Sequence, residues 1–305
     1  MYCEGISNGR NGLRGSVVAE KLLENGYKVL GLARNEASDA KLRGKGIEIV
    51  RGDLTDLESL KRGARETDAT IHTAFGHDFA NFDKMVAIEN NAVAAFAEAL
   101  AGTEKPLIAT NGTAYLGDTK DEIADENYPA QPGIFGYGRY EAERLFLETA
   151  KRGVRSVMMR LPFYVYGRGG SVFIPALIDA AKHNSAAFYV EPGNQKVSAV
   201  HVDDAANAYL AVLENKNAGG VYQIAAETVT NKQIAESIGK LTNVRAEAIS
   251  IDEAGEKFGA LVSFLIINNQ LSSEKARSEL NWLPNAEYKI LDDIENGSYQ
   301  QLIVK

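Results

Sequence analysis

The feature that most constrains this chain is a regular succession of short apolar runs and amphipathic helical stretches between about residues 15 and 225. Tyr27 to Ala33, Ile47 to Val50, Ala69 to Thr73, Pro106 to Thr110 and Ser156 to Leu161 read as strands. Ser16 to Asn25, Asp39 to Gly44, Ser59 to Arg65, Met85 to Ala101 and about Tyr137 to Lys151 read as the helices between them. This alternation predicts an α/β fold with a parallel, doubly wound sheet and right-handed crossovers. After Pro162 the rhythm changes. Residues 163–196 and 226–305 are expected to form a smaller, mostly helical lobe. Residues 1–162, rejoined by 197–225, would form the larger domain.

Gly9, Gly12 and Gly15 are spaced three apart directly before the first helix. Glycines there allow a tight turn and close backbone approach to a diphosphate, which would sit on the free N–H groups of the helix start. Together with the alternation, they predict a Rossmann-type domain holding a dinucleotide. One stretch does not fit. Glu4 and Gly5 are poor residues for a buried central strand. Arg14 stands where an apolar side chain would pack the helix on the sheet. Codons for Cys3 to Arg10 can be chosen so that a one-base shift reads Val-Lys-Val-Leu-Val-Thr-Gly-Gly, the strand and turn expected. A second single-base change restores the frame before Asn11.

Bulk properties narrow the function classes. A net charge of −8 gives no basic footprint for nucleic acid. No apolar run reaches the roughly 20 residues of a membrane span. The single cysteine, Cys3, rules out an intrachain disulfide, and a reducing, cytoplasmic location is expected. No Cys/His cluster suggests a metal, and His72 and His77 make no convincing pair. A small-molecule substrate remains.

The second strand ends Leu32-Ala33-Arg34-Asn35, without the acidic residue that binds the ribose hydroxyls of NAD. Arg34 is placed to pair with a 2′-phosphate, so NADP is expected, with NAD the alternative. Asp53 follows the third strand, to contact adenine or to cap the helix from Leu57.

On these residues the chain resembles the extended short-chain dehydrogenases/reductases, the NAD-dependent epimerase/dehydratases, nearly end to end. Gly9, Gly12 and Gly15 match their glycine loop. Gly52-Asp53-Leu54 matches their third-strand signature, and Ile71-His72-Thr73-Ala74 the strand beside the nicotinamide. Thr110-Asn111-Gly112-Thr113 matches the strand end that carries a catalytic Ser or Thr. Tyr137-Gly138-Arg139 looks like the start of Tyr-x-x-x-Lys. Arg160-Leu161-Pro162, Tyr166-Gly167, Val200 to Ala206, Leu271 to Ala276 and Leu280-Asn281-Trp282 match later motifs. The resemblance implies binding by Gly9, Gly12, Gly15, Arg34, Asp53, Leu54, Thr73 and Ala74, with Tyr137 and Thr113 catalytic. It also makes a homodimer an expectation.

In that family a Tyr phenol exchanges a proton with the substrate oxygen, a Ser or Thr bonds the same oxygen, and a Lys lowers the phenol pKa from ~10. Here the position four after Tyr137 is Glu141, whose charge would act in the opposite direction. Three readings stay open. Tyr137 acts with Arg139 or Arg144; Tyr140 and Arg144 form a shifted pair; or the site binds cofactor with little turnover. Tyr137 and Tyr140 as packing aromatics is the plain alternative. Thr113 is preferred as the hydroxyl partner, with Thr110 second. Phe75, His77, Phe79, Phe163 and Tyr164 are candidates for a substrate pocket. The expected activity is an NAD(P)-dependent oxidoreductase on a small carbonyl or alcohol. The alternatives are a nucleotide-sugar epimerase or dehydratase and an NADP-binding sensor.

Overall fold

The computed structural model describes residues 2–4, 12–76 and 81–303, with backbone pairing alone for 2–4. Gly9, His77 and Phe79 lie outside the described residues. So does most of the stretch 3–10 that a shifted frame would alter.

In chain order the first half runs β1 (Tyr2–Glu4), α1 (Leu13–Glu24), β2 (Leu30–Ala33), α2 (Glu36–Arg43), β3 (Glu48–Arg51), α3 (Leu57–Arg65), β4 (Thr70–His72), α4 (Phe82–Leu100), β5 (Pro106–Gly112), α5 (Tyr137–Leu147) and β6 (Arg155–Leu161). The rest runs β7 (Tyr164–Tyr166), α6 (Phe173–Asn184), β8 (Ala186–Val190), β9 (Lys196–His201), α7 (Val202–Glu214), β10 (Gly220–Gln223), β11 (Glu227–Thr230), α8 (Asn231–Thr242), β12 (Arg245–Ile249), α9 (Ile251–Phe258), α10 (Val262–Leu265), α11 (Glu274–Leu280) and α12 (Ile290–Asn296).

Among the described residues the main sheet has the order β3-β2-β1-β4-β5-β6-β10, all parallel. The order reverses between β1 and β4, so a crevice opens beyond the strand ends at that point. The strands are apolar on both faces because helices cover both. Ile108, Val157 and Met159 point into one layer with Val17, Val18 and Leu22 of α1 and Ala205, Tyr209 and Val212 of α7. Leu107, Ala109 and Met158, the alternate residues, point into the other with Leu60 of α3, Phe96 of α4 and Phe146 of α5.

The second lobe pairs β9 between β7 (parallel) and β11 (antiparallel), and β8 beside β12. The returning segment is therefore divided: β9 pairs here, while α7 and β10 join the main sheet. Its core is the aliphatic faces of α6, α8 and α12, carried by Ile174, Ile178, Ile234, Ile238, Ile290 and Ile294. Thr230 caps α8 in a reciprocal box with Gln233.

Several caps differ from the sequence expectation. Asp56, not Asp53, caps α3; Asp53 instead accepts from Thr55 N and Oγ1 at 2.7 and 2.6 Å. At α7 the His201 ring accepts from Asp203 N, freeing the two aspartates for other work. Asp203 pairs with Arg168. Asp204, buried, accepts from the backbone N–H groups of Asn285 and Ala286 and fixes the C-terminal segment to the sheet domain.

Candidate active site

The cleft lies where β4, β5 and β6 end. It holds a cavity of about 130 Å³ between the sheet and the second lobe. Its walls are mostly phenylalanine. Phe75 meets Phe82, Phe82 stacks 4.6 Å from Phe135, and Phe135 meets Phe264 edge-on at 5.7 Å. Phe264 in turn touches Phe163 and Phe173 at 4.9 and 5.1 Å. Side chains from both lobes thus form one continuous aromatic wall. Tilted and edge-to-face contacts of this kind are the favoured ring geometries.

The floor is polar and fully bonded. Asn111, near the end of β5, accepts from Arg139 Nε at 2.8 Å and from Gly112 N, and donates to Glu143 at 2.9 Å. Arg139 also donates to Thr110 O at 2.8 Å, pairs with Glu89 of α4, and lies 4.0 Å from the Phe75 ring centre. Glu143 accepts from Arg160 Nη2 at 2.6 Å and from Tyr115 Oη at 3.0 Å. Two ion pairs, Glu89–Arg139 and Glu143–Arg160, are buried here and joined through one asparagine. Burying four charges is tolerable only when each is paired with an opposite charge, as they are. Burial, then the Glu143 carboxylate, raises the Tyr115 phenol well above its ordinary pKa.

Helix α5 decides which of its residues see the cleft. Gly136 starts it at φ 89°, where a Cβ would lie 3.1 Å from that of Ala114. That left-handed step turns Phe135 inward. Arg139, Ala142, Glu143 and Phe146 then form the buried face, at helical spacing. Phe135 and Arg139, four apart, both line the cleft. Tyr137 does not; it is half-buried, with its ring 5.6 Å from Tyr140. Glu141 and Arg144 are exposed on the outer face. The structure therefore does not bring Tyr137 or Glu141 together with Thr113.

Thr113, buried, lines the cleft and donates to Asn269 Oδ1 at 2.7 Å. Thr110 also lines it, with its hydroxyl shared with Tyr209 Oη at 2.6 Å. Thr73 lines it too, and Ala74 is half-buried beside it. Phe75 and Phe163 are in the wall, whereas Tyr164 is buried behind it and bonds Asn231. Gly12 and Gly15 are buried at the start of α1; Arg34 is exposed at the end of β2, near enough to Asp53 to affect its charge. Leu54 is half-buried next to Asp53.

The sequence reading missed Phe135, Phe82, Phe173, Phe264 and the floor. Phe135 precedes α5, and the left-handed step at Gly136, not helical spacing, sets it beside Arg139 in the cleft.

The NAD dependent epimerase/dehydratase family model matches residues 8–225. An uncharacterised protein of Schizosaccharomyces pombe is 38% identical over 295 residues, 95% of this chain and 98% of its own. The chain belongs to the NAD-dependent epimerase/dehydratase family. A cinnamoyl-CoA reductase of Medicago truncatula is 27% identical over 258 residues, covering 76% of this chain and 74% of its own. Among solved structures, MoeE5 in complex with UDP-glucose and NAD superposes with a TM-score of 0.78 at 19% identity, over 99% of this chain and 98% of its own. That likeness confirms the fold: α/β, with the parallel Rossmann-type sheet expected from sequence. The family thus includes both reductases and epimerases.

Proposed function

We propose that this chain is an NADP(H)-dependent oxidoreductase for a small, largely apolar carbonyl or alcohol, with NAD(H) the alternative cofactor. The observation that carries the substrate class is the continuous phenylalanine wall spanning both lobes. A nucleotide sugar would present diphosphate and hydroxyls to that wall, where they would lose water without gaining partners. An epimerase reading therefore ranks second.

The residues present fit a dinucleotide. The first turn of α1 has Gly12 at its cap, no side-chain cap bond and no acidic residue, which suits an anion at the positive end of the helix dipole. Gly12 and Gly15, with Gly9, would carry the diphosphate. Arg34, exposed at the end of β2 and followed by Asn35 rather than an acid, is open to a 2′-phosphate. Asp53 and Leu54 would border the adenine, and Thr73 and Ala74 the nicotinamide half. The cofactor would supply hydride.

The chain's own part at the substrate follows from the floor. We assign the positions of the family's Tyr and Lys to Phe135 and Arg139 rather than to Tyr137 and Glu141. Arg139 directs N–H groups at the cleft from a fixed frame, and uses three of its five donors on Asn111, Thr110 and Glu89. The remaining Arg139 donors would stabilise developing charge on a substrate oxygen, while the Thr113 hydroxyl, which gives its proton to Asn269, would border that oxygen. Tyr115 is a poor base, since burial and Glu143 keep its phenol neutral. The proton then comes from solvent, which predicts slow turnover.

NADPH oxidation with a panel of aromatic and branched aldehydes and ketones tests this reading. Turnover of these, with none of UDP-glucose, is expected. Epimerisation of a nucleotide sugar would overturn it. Tight NADPH binding with no turnover on any carbonyl would favour the sensor reading.

A further inference from the structure

Arg14 breaks the pattern of its helix. It sits in the first turn of α1, at the positive end of the helix dipole, where a cation is unfavourable. Its side chain lines the cleft rather than packing on the sheet. Protein surrounds it on all sides, yet it keeps some solvent contact through the cleft opening. It makes no ion pair or side-chain hydrogen bond with any described residue. A second guanidinium, Arg139, is close enough to affect its charge, and Arg139 is already matched by Glu89. Burial, then the Arg139 charge, pull the Arg14 pKa below its usual value, while Tyr209 opposes them.

Three unfavourable terms thus converge on one side chain: desolvation, a like charge and the wrong end of a helix. Each is relieved by the same thing, a negative charge in the cleft. We propose that Arg14 is an anion-binding residue of the cleft, taking a phosphate or carboxylate group of a bound ligand. Two sources offer that chemistry: the diphosphate of a dinucleotide, or the carboxylate of an aromatic 2-oxo acid whose ring meets the phenylalanine wall. The first source rests on the cofactor reading above; the second does not.

The test uses the full chain with Arg14→Met and Arg14→Lys, and three probes: inorganic pyrophosphate, NADPH and phenylpyruvate. Wild type should gain thermal stability with pyrophosphate, Arg14→Met should lose that gain, and Arg14→Lys should keep part of it. Without ligand, Arg14→Met should melt at or above wild type, because a cation with no ion-pair partner among the described residues has gone. If the diphosphate is the partner, NADPH fluorescence should show affinity reduced roughly tenfold or more in Arg14→Met, and less salt dependence. If the substrate is the partner, NADPH binding stays unchanged and phenylpyruvate binding falls instead. The proposal is overturned if all three probes bind Arg14→Met as tightly as wild type. It is equally overturned if ligand-free Arg14→Met melts well below wild type, which would make the guanidinium a structural strut. Failure of both proteins to bind NADPH refutes the cofactor reading, while the pyrophosphate and phenylpyruvate arms still decide Arg14.

Discussion

Phe135, just before the start of α5, and Arg139, within it, both line the cleft, while Tyr137, between them in sequence, does not. A phenol is therefore missing from the place where four-residue spacing would put it. Phe135→Tyr should supply one, beside an arginine that favours its ionised form. General acid–base groups contribute about 10²–10⁴-fold, so turnover on an accepted carbonyl should rise by at least tenfold. Tyr137→Phe should leave it unchanged. A large loss with Tyr137→Phe and no gain with Phe135→Tyr would return the role to Tyr137.

Glu141→Lys should change little. Its side chain is exposed on the outer face of α5, and surface substitutions of this kind stay within about 0.5 kcal/mol. Unaltered kcat and denaturation midpoint are the expected results. An increase in kcat would mean that position 141 reaches the site.

Glu143→Ala should be severe. It strips the carboxylate that holds Arg160, Asn111 and Tyr115 together and leaves Arg160 buried without its ion-pair partner. Breaking a buried pair from one side costs about 3–5 kcal/mol. Urea denaturation would read this as a lower midpoint. Replacing exposed Glu148, paired with Lys151 on the surface, should cost under about 1 kcal/mol.

Alkaline titration should separate the tyrosines. Burial, then the Glu279 carboxylate that accepts its proton, pushes the Tyr222 phenol up to about 12. Burial raises Tyr164, Tyr166 and Tyr299 further still. Ultraviolet absorbance of the folded protein at pH 11 should show these phenols still protonated. Their folded pKa values lie above the unfolded value of ~10, so their stabilisation is complete below pH ~10. It is lost as pH rises from there through 12. Full ionisation at pH 11 without unfolding would contradict the burial.

β1 lies at the centre of the sheet, between β2 and β4, and among the described residues Tyr2, Cys3 and Glu4 pair there. A chain whose residues 3–10 read Val-Lys-Val-Leu-Val-Thr-Gly-Gly should extend that strand with apolar, β-branched residues. It should melt higher and bind NADPH more tightly than the chain as given. Equal melting and affinity would remove the reason to suspect a shifted frame, which resequencing of the gene would check directly.

The sheet and its helices were legible because their signals are local. Val17, Val18 and Leu22 mark a helix face, and Ser156 to Leu161 marks a strand, without reference to the rest of the chain. The site was less legible because it is assembled from distance. Phe264 reaches the cleft from the far end of the chain, and Asn269 meets Thr113 across 156 positions. Only the packing of α5 against β5 and β6 reveals that residue 135 faces the cleft, and Gly136 is what offsets the motif. Nothing near Asp204 in sequence announces that residues 285 and 286 return to it.

The division of the cleft into a bonded floor and an aromatic wall also bears on how such a protein would drift over generations. Glu89, Arg139, Asn111, Glu143 and Arg160 form one chain in which each is bonded to the next, so single changes there are selected against before any change in function is tried. The phenylalanines answer only to volume, and swaps that conserve volume are tolerated well. Lineages sharing this floor are free to exchange one wall residue at a time, and divergence in what they accept should be recorded there, in substitutions at Phe82, Phe163, Phe173 and Phe264.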